Sequence, residues 1–181
     1  MLEKALEQFW ENGYEATSME DLLDCMNLNK GSLYHVFGSK RELFSRTLDF
    51  FGKKSQKDIE RKILEAKSPV EGIKNFFLGL ASSNRRLHEK GCYMGNTISE
   101  LAGIDNKLKD QAIQNLKNME GLFYHYIEKA KKAKELETRE DSRVIARYLV
   151  NLWNGINITR RIYPTGDALR SVINLQLSIL K

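Results

Sequence analysis

The chain has 181 residues, of which 41% are hydrophobic and 29% charged, enough for one medium domain or a small domain joined to a larger one. Two prolines, no low-complexity segment and no apolar run near the roughly 18 residues a membrane span needs argue against disorder and against membrane insertion. The net charge of +5 is uneven: residues 1–50 hold nine acids against five bases, a balance of −4, which leaves +9 for the remainder, so bulk basicity does not explain the N-terminal part.

Leu2, Ala5, Leu6 and Phe9 recur at three and four and predict a short amphipathic helix that stops at Asn12-Gly13. Thr17-Ser18-Met19-Glu20-Asp21 carries a hydroxyl with an acid three residues on, a capping box for a second helix with Met19, Leu22, Leu23 and Met26 on its inner face. Asn27-Leu28-Asn29 is a polar break, and Asn29 caps a third helix over residues 30–37. Leu33, Val36 and Phe37 are expected in the core, as is Cys25. After Gly38, Ser39 opens a longer helix from Lys40 to about Ala66. Ser68-Pro69 starts another, with Val70, Ile73, Phe76, Phe77, Leu80 and Leu87 as its stripe. Gly91 divides it from a helical segment over 92–102, and Asp105 begins a long helix carrying Leu108, Ala112, Leu116, Met119, Phe123, Tyr126 and Ala130. Asp141-Ser142 opens the next helix, Pro164-Thr165-Gly166 breaks it, and Asp167 to Leu180 closes an all-α chain.

Three short helices with a three-to-four-residue turn between the second and third describe a helix-turn-helix. Residues 27–40, "NLNKGSLYHVFGSK", contain no acid although the surrounding fifty residues are net acidic. A third helix that enters the major groove requires such a window, since acids would repel phosphate.

The stretch "GYEATSMEDLLDCMNLNKGSLYHVFGSKRELF", residues 13–44, resembles the DNA-binding signature of the TetR family of bacterial transcriptional repressors. A Gly-Tyr, a Thr-Ser opening the second helix, a Lys-Gly-Ser-Leu-Tyr-His recognition helix, then Phe and Ser-Lys carry the likeness; a weaker one lies in "GCYMGNTISELA" and the last two helices. The resemblance implies an N-terminal three-helix DNA-binding domain over 1–46 joined to a larger helical ligand-binding and dimerisation domain over 47–181. It also implies roles for single residues. Gly31 lets the helix lie close to the bases, and Ser32 addresses a base edge or phosphate. Tyr34 and His35 contact phosphate or form the rim of the small core. Lys30 and Lys40 offer cations near helix N-termini, and Thr17 caps and, with its backbone, touches phosphate. Family members commonly carry a basic arm before the first helix; here the chain begins inside that helix, so fewer phosphate contacts are expected.

In the last two helices apolar residues fill more than one stripe, which a homodimer contact explains; Leu149, Trp153, Ile156, Leu169, Val172, Ile173 and Leu177 are the candidates, against one larger intrachain core. Phe76, Phe77, Tyr93, Met94, Met119, Phe123, Tyr126 and Trp153, with Asn96, Asn154 and Asn157 as polar handles, are candidate lining for an apolar or aromatic effector, or ordinary core. Cys92, following Gly91 at a helix start with Lys90 beside it, is either a reactive thiol serving as redox or electrophile sensor, or a small buried hydrophobe. No cofactor and no metal are expected: the three histidines are scattered, and His88 and Cys92 lack a third ligand. No Ser-His-Asp grouping or phosphate loop points to an enzyme. The basic run over 129–139 reads as a solvated helix end.

The expected protein is therefore a cytoplasmic, dimeric repressor of double-stranded palindromic operator DNA, released by a small-molecule effector whose identity the sequence does not give. A helical scaffold that has lost operator binding is the competing class. The switch is expected to run through the helix from Lys40, with Gly52 as a weak point.

Overall fold

The computed structural model describes residues 1–163 and 166–181. The expected break at Pro164-Thr165 lies outside the described residues. The described elements are helical: α1 (Leu2–Asn12), α2 (Met19–Met26), α3 (Lys30–Phe37), α4 (Lys40–Leu64), α5 (Pro69–Ala81), α6 (Arg85–Lys90), α7 (Tyr93–Glu100), α8 (Asn106–Lys132), α9 (Ser142–Ile162), α10 (Gly166–Gln176) and a closing 3-10 turn, Leu177–Ile179. The all-α expectation holds, with no strand among the described residues.

Capping explains most boundaries. Ser18, not Thr17, opens α2: its side chain accepts the Asp21 N–H while the Asp21 carboxylate accepts the Ser18 N–H. Asn27 closes α2 in the left-handed conformation (φ 54°), which asparagine tolerates, and Asn29 Oδ1 accepts the Ser32 N–H at 2.8 Å to open α3. Ser39 accepts the Glu42 N–H, Ser68 caps α5 with Pro69 at its first position, and Asp105 accepts from Lys107 and Leu108 ahead of α8.

The single helix expected from Pro69 past Leu87 is two. Asn84 caps α6 by accepting the Leu87 N–H, so the chain restarts there and Leu87 is exposed. Val36 also faces outward, 45% exposed, because α3 buries Leu33 and Phe37 instead. Cys25 is half-buried, its thiol directed at the Leu22 and Lys4 carbonyls.

The chain divides into two compact units, Met1–Lys54 with Tyr93–Asn115, and Ser55–Cys92 with Leu116–Lys181. The core of the first gathers Phe9, Leu22, Leu33, Leu43, Phe44 and Tyr93. Phe9 meets Phe44 edge-on at 4.9 Å, and the Tyr93 ring lies within 6 Å of Trp10, Phe44 and Phe51. The second unit is built on Ile73, Phe77, Phe123, Ile127, Ile145, Leu149, Leu169 and Ile173, all fully buried. Each such side chain contributes about 1.5–3 kcal/mol by leaving water.

Candidate nucleic-acid interface and its supports

On α3 the residues Lys30, Gly31, Tyr34, His35 and Val36 are exposed and Ser32 is half-buried, so the acid-free window becomes a surface. A Cβ at Gly31 would meet only Asn29 Oδ1, at 3.5 Å, so the glycine is not required by packing within the chain. On its outer side the position is open.

Lys40 stands at the start of α4. Its Nζ donates to the Glu15 carbonyl at 3.3 Å and lies 4.5 Å from the centre of the Tyr14 ring. Thr17 is fully buried, and its hydroxyl donates to the Gly13 carbonyl at 2.6 Å. This corrects its assignment as a cap: the Thr17 side chain closes the α1–α2 turn, and Ser18 caps α2.

The first unit is completed by α7 and the start of α8. Tyr93 shares a hydrogen bond with the Thr47 hydroxyl at 2.8 Å, and burial pushes its phenol pKa well above the usual range. Gln111 donates to the Ser45 carbonyl and to Asp49, and accepts from the Ser45 hydroxyl. A Cβ at Gly52 would stand 1.8 Å from Asn115 Oδ1, so Gly52 makes room for an α8 side chain; it is not explained as a weak point of α4.

The aromatic candidates separate. In the second unit Phe76 stacks on Trp153 at 5.6 Å and 16°, and approaches Phe123 at 6.2 Å. Met119 and Tyr126 belong to the same cluster, and the Tyr126 hydroxyl donates to Glu60 at 3.2 Å. Tyr93, Met94 and Asn96 belong to the first unit, and Tyr93 serves as its core.

Cys92 directly precedes α7 and is buried. The Trp153 indole N–H donates to its Sγ at 3.2 Å. Arg160, also buried, donates to the Gly91 carbonyl at 3.0 Å and leaves its Nε without an acceptor. Burial pulls the Arg160 pKa down to about 10; the Cys92 thiol opposes this and Arg161 adds to it. Asn157 donates to the Trp153 carbonyl while its Oδ1 has no donor. Periodicity could not find Arg160, a cation inside an apolar stripe.

The expected dimer residues are corrected in part. Leu149, Ile156, Leu169, Ile173 and Leu177 lie inside the chain's own core, while Trp153 is half-buried and Val172 exposed. The outer apolar residues of α9 and α10 are Val172, which was expected there, with Val144, Ile158, Ile162 and Leu175, the last 75% exposed.

Residues 1–47 match the profile described as bacterial regulatory proteins of the tetR family, and residues 69–175 match the tetracyclin repressor-like C-terminal domain. The chain belongs to the TetR family. It is 32% identical to an uncharacterized HTH-type transcriptional regulator, YezE, of Bacillus subtilis (strain 168), over 99% of this chain and 94% of that one. It is 23% identical to the HTH-type transcriptional repressor DhaR of Mycobacterium sp. (strain GP1), over 99% and 90%. Among solved structures, the reduced form of E. coli NemR has a TM-score of 0.89 at 16% identity, covering 99% of this chain and 95% of that one. A cysteine mutant of the TetR family regulator CifR, complexed with 26 bp operator DNA, has a TM-score of 0.81 at 21% identity, covering 97% and 93%. At those identities the structures speak for the fold. The TetR-family chain is thus a DNA-binding transcriptional regulator and not an enzyme. Among the described residues, no helix is long and apolar enough to cross a membrane, and no group of three His, Cys, Asp or Glu could hold a metal.

Proposed function

We propose that this regulator is a cytoplasmic homodimeric repressor that holds a palindromic operator and releases it when a small apolar or aromatic effector binds. The exposed, acid-free face of α3 carries the reading. Lys30, Tyr34, His35 and Lys40 position the protein on phosphates, and Gly31 and Ser32 meet base edges. Residues 1–46 serve DNA, and 47–181 serve dimerisation and effector binding. DhaR is a transcriptional repressor, and a CifR cysteine mutant is known in complex with operator DNA. The test is selection of bound duplexes from a random pool: a palindrome with half-sites about 34–36 Å apart supports the reading, and no enrichment defeats it.

A second copy of the chain covers the outer faces of α9 and α10. On α9, Val144, Tyr148, Asn151, Gly155, Ile158 and Ile162 fall on one side at spacings of three and four, and a Cβ at Gly155 would meet nothing within 4 Å. A helix can approach closely there. The effector is assigned to the Phe76, Phe123 and Trp153 rings, and α4, with residues in both units, to the connection.

One observation favours a second reading, in which Cys92 is the sensor. The Trp153 indole N–H is aimed at the Cys92 sulfur at 3.2 Å, and the charge of the buried Arg160 interacts with the same side chain. In this reading the sulfur adds as thiolate to the β-carbon of a small α,β-unsaturated carbonyl compound, and water supplies the proton at the α-carbon.

A further inference from the structure

Glu100, the last residue of α7, accepts hydrogen bonds from two successive main-chain amides of the α1–α2 turn. Tyr14 N–H reaches its Oε2 at 3.0 Å and Glu15 N–H its Oε1 at 2.9 Å, across 86 and 85 positions of sequence. Both carboxylate oxygens are engaged, one to each amide. Two adjacent N–H groups aimed at one anion form a concave anion-binding arrangement, and charge-assisted bonds of this kind exceed neutral ones in strength.

The turn is shaped around that carboxylate. Gly13 holds φ +87°, which favours glycine, and a Cβ there would stand 2.9 Å from Glu100 Oε1 and press on the carboxylate. From the other side the Lys40 ammonium donates to the Glu15 carbonyl and lies against the Tyr14 ring. Inside, the Thr17 hydroxyl donates to the Gly13 carbonyl. The start of α2 and the start of α4 are therefore referred to one turn, and the turn is held by an acid outside the segment that matches the family's DNA-binding profile.

We infer that Glu100 is a positioning residue for operator binding: its carboxylate fixes the α1–α2 turn, and with it Lys40 and the entry to the helix-turn-helix, in the arrangement that DNA accepts. A turn left unfixed must be ordered during association, and that entropy weakens binding while the phosphate contacts remain.

The inference rests on the operator-binding reading, and the experiment separates the two. Full-length wild type, Glu100→Gln and Glu100→Ala are titrated onto the duplex that wild type selects, over a salt series, and amide hydrogen exchange is followed in each. Glu100→Ala is expected to raise Kd roughly tenfold, the loss of one to two net hydrogen bonds. Glu100→Gln, which keeps one acceptor oxygen, falls between, so the test survives if the alanine variant folds poorly. The salt slope stays unchanged, and faster exchange is confined to residues 13–17. Wild-type Kd within twofold in both variants overturns the inference, as does faster exchange spread over the whole first unit. Failure of wild type to select any duplex overturns the operator reading, and this inference with it.

Discussion

Arg41 and Asp105, 64 positions apart, meet in two hydrogen bonds, Nε to Oδ2 at 2.6 Å and Nη2 to Oδ1 at 3.0 Å. The hydrogen bond from Arg41 is the main reason the Asp105 carboxyl is held down at about 2, and its bonds from Leu108 and Lys107 add to this against burial. The folded pKa lies below the unfolded one, so the contribution is present above about pH 4 and is lost as pH falls toward 2. Asn at this position can still cap α8 but cannot form the ion pair. The Tm gap between wild type and Asp105→Asn is therefore expected to narrow between pH 4 and pH 2, and to shrink in high salt because the pair is partly exposed. A gap that stays constant with pH assigns the pair no role.

At Gly31 folding and recognition can be tested separately. Its Cβ space is open within the chain, and alanine is the better helix former by up to about 1 kcal/mol, so Gly31→Ala should leave Tm unchanged or raise it. The added methyl stands where bases would approach, so affinity for the selected duplex should fall at least tenfold. Thermal melts and titrations on one preparation check both halves; retained affinity removes Gly31 from the interface.

The burial pattern dictates which substitutions test the dimer. Leu175→Asp and Ile158→Asp place charges on the outer faces of α10 and α9, and monomer with a nearly unchanged helical signal is expected in sedimentation. Leu177→Asp buries a charge in the protomer's own core and should unfold it. Dimer retained in Leu175→Asp and Ile158→Asp alike would falsify the assigned surface.

For Cys92, alkylation by a small α,β-unsaturated ketone is expected to show as one adduct by mass and to weaken operator binding. Cys92→Ser should abolish both responses, and Trp153→Phe, which lacks the indole N–H, should slow the adduct at pH 7. Equal rates at Cys92 in wild type and Trp153→Phe would leave the indole without a part in activating the thiol.

Much of this protein was legible in its residues. Asn29, Ser39, Ser68 and Asp105 cap where a short polar side chain precedes an apolar repeat, because that signal is local. The Asn84 cap was hidden: the Phe76–Leu80 stripe carries on in register to Leu87, and only a hydrogen bond reveals the restart. Long-range pairings left no trace in periodicity. Nothing local to Glu100 marks it as the acceptor for Tyr14 and Glu15, and nothing local to Arg160 marks it as buried. Five of the seven dimer candidates proved to be core for a related reason, since an apolar stripe does not say whether its own chain or a second copy covers it. Leu149 and Leu177 face inward, and the outer face contains Asn151 and Gly155, which dilute its apolar pattern.

The most direct measurement is the salt dependence of binding to the selected palindromic duplex, made for wild type, Lys30→Ala, Lys40→Ala and a Ser32 substitution. The exposed face of α3 predicts a steep fall of affinity between about 50 and 200 mM salt, and a slope smaller by roughly one in each lysine variant with base preference unchanged. Ser32→Ala should keep the slope and alter the preferred sequence. Salt-insensitive binding, or lysine variants that change preference and leave the slope intact, would contradict the account.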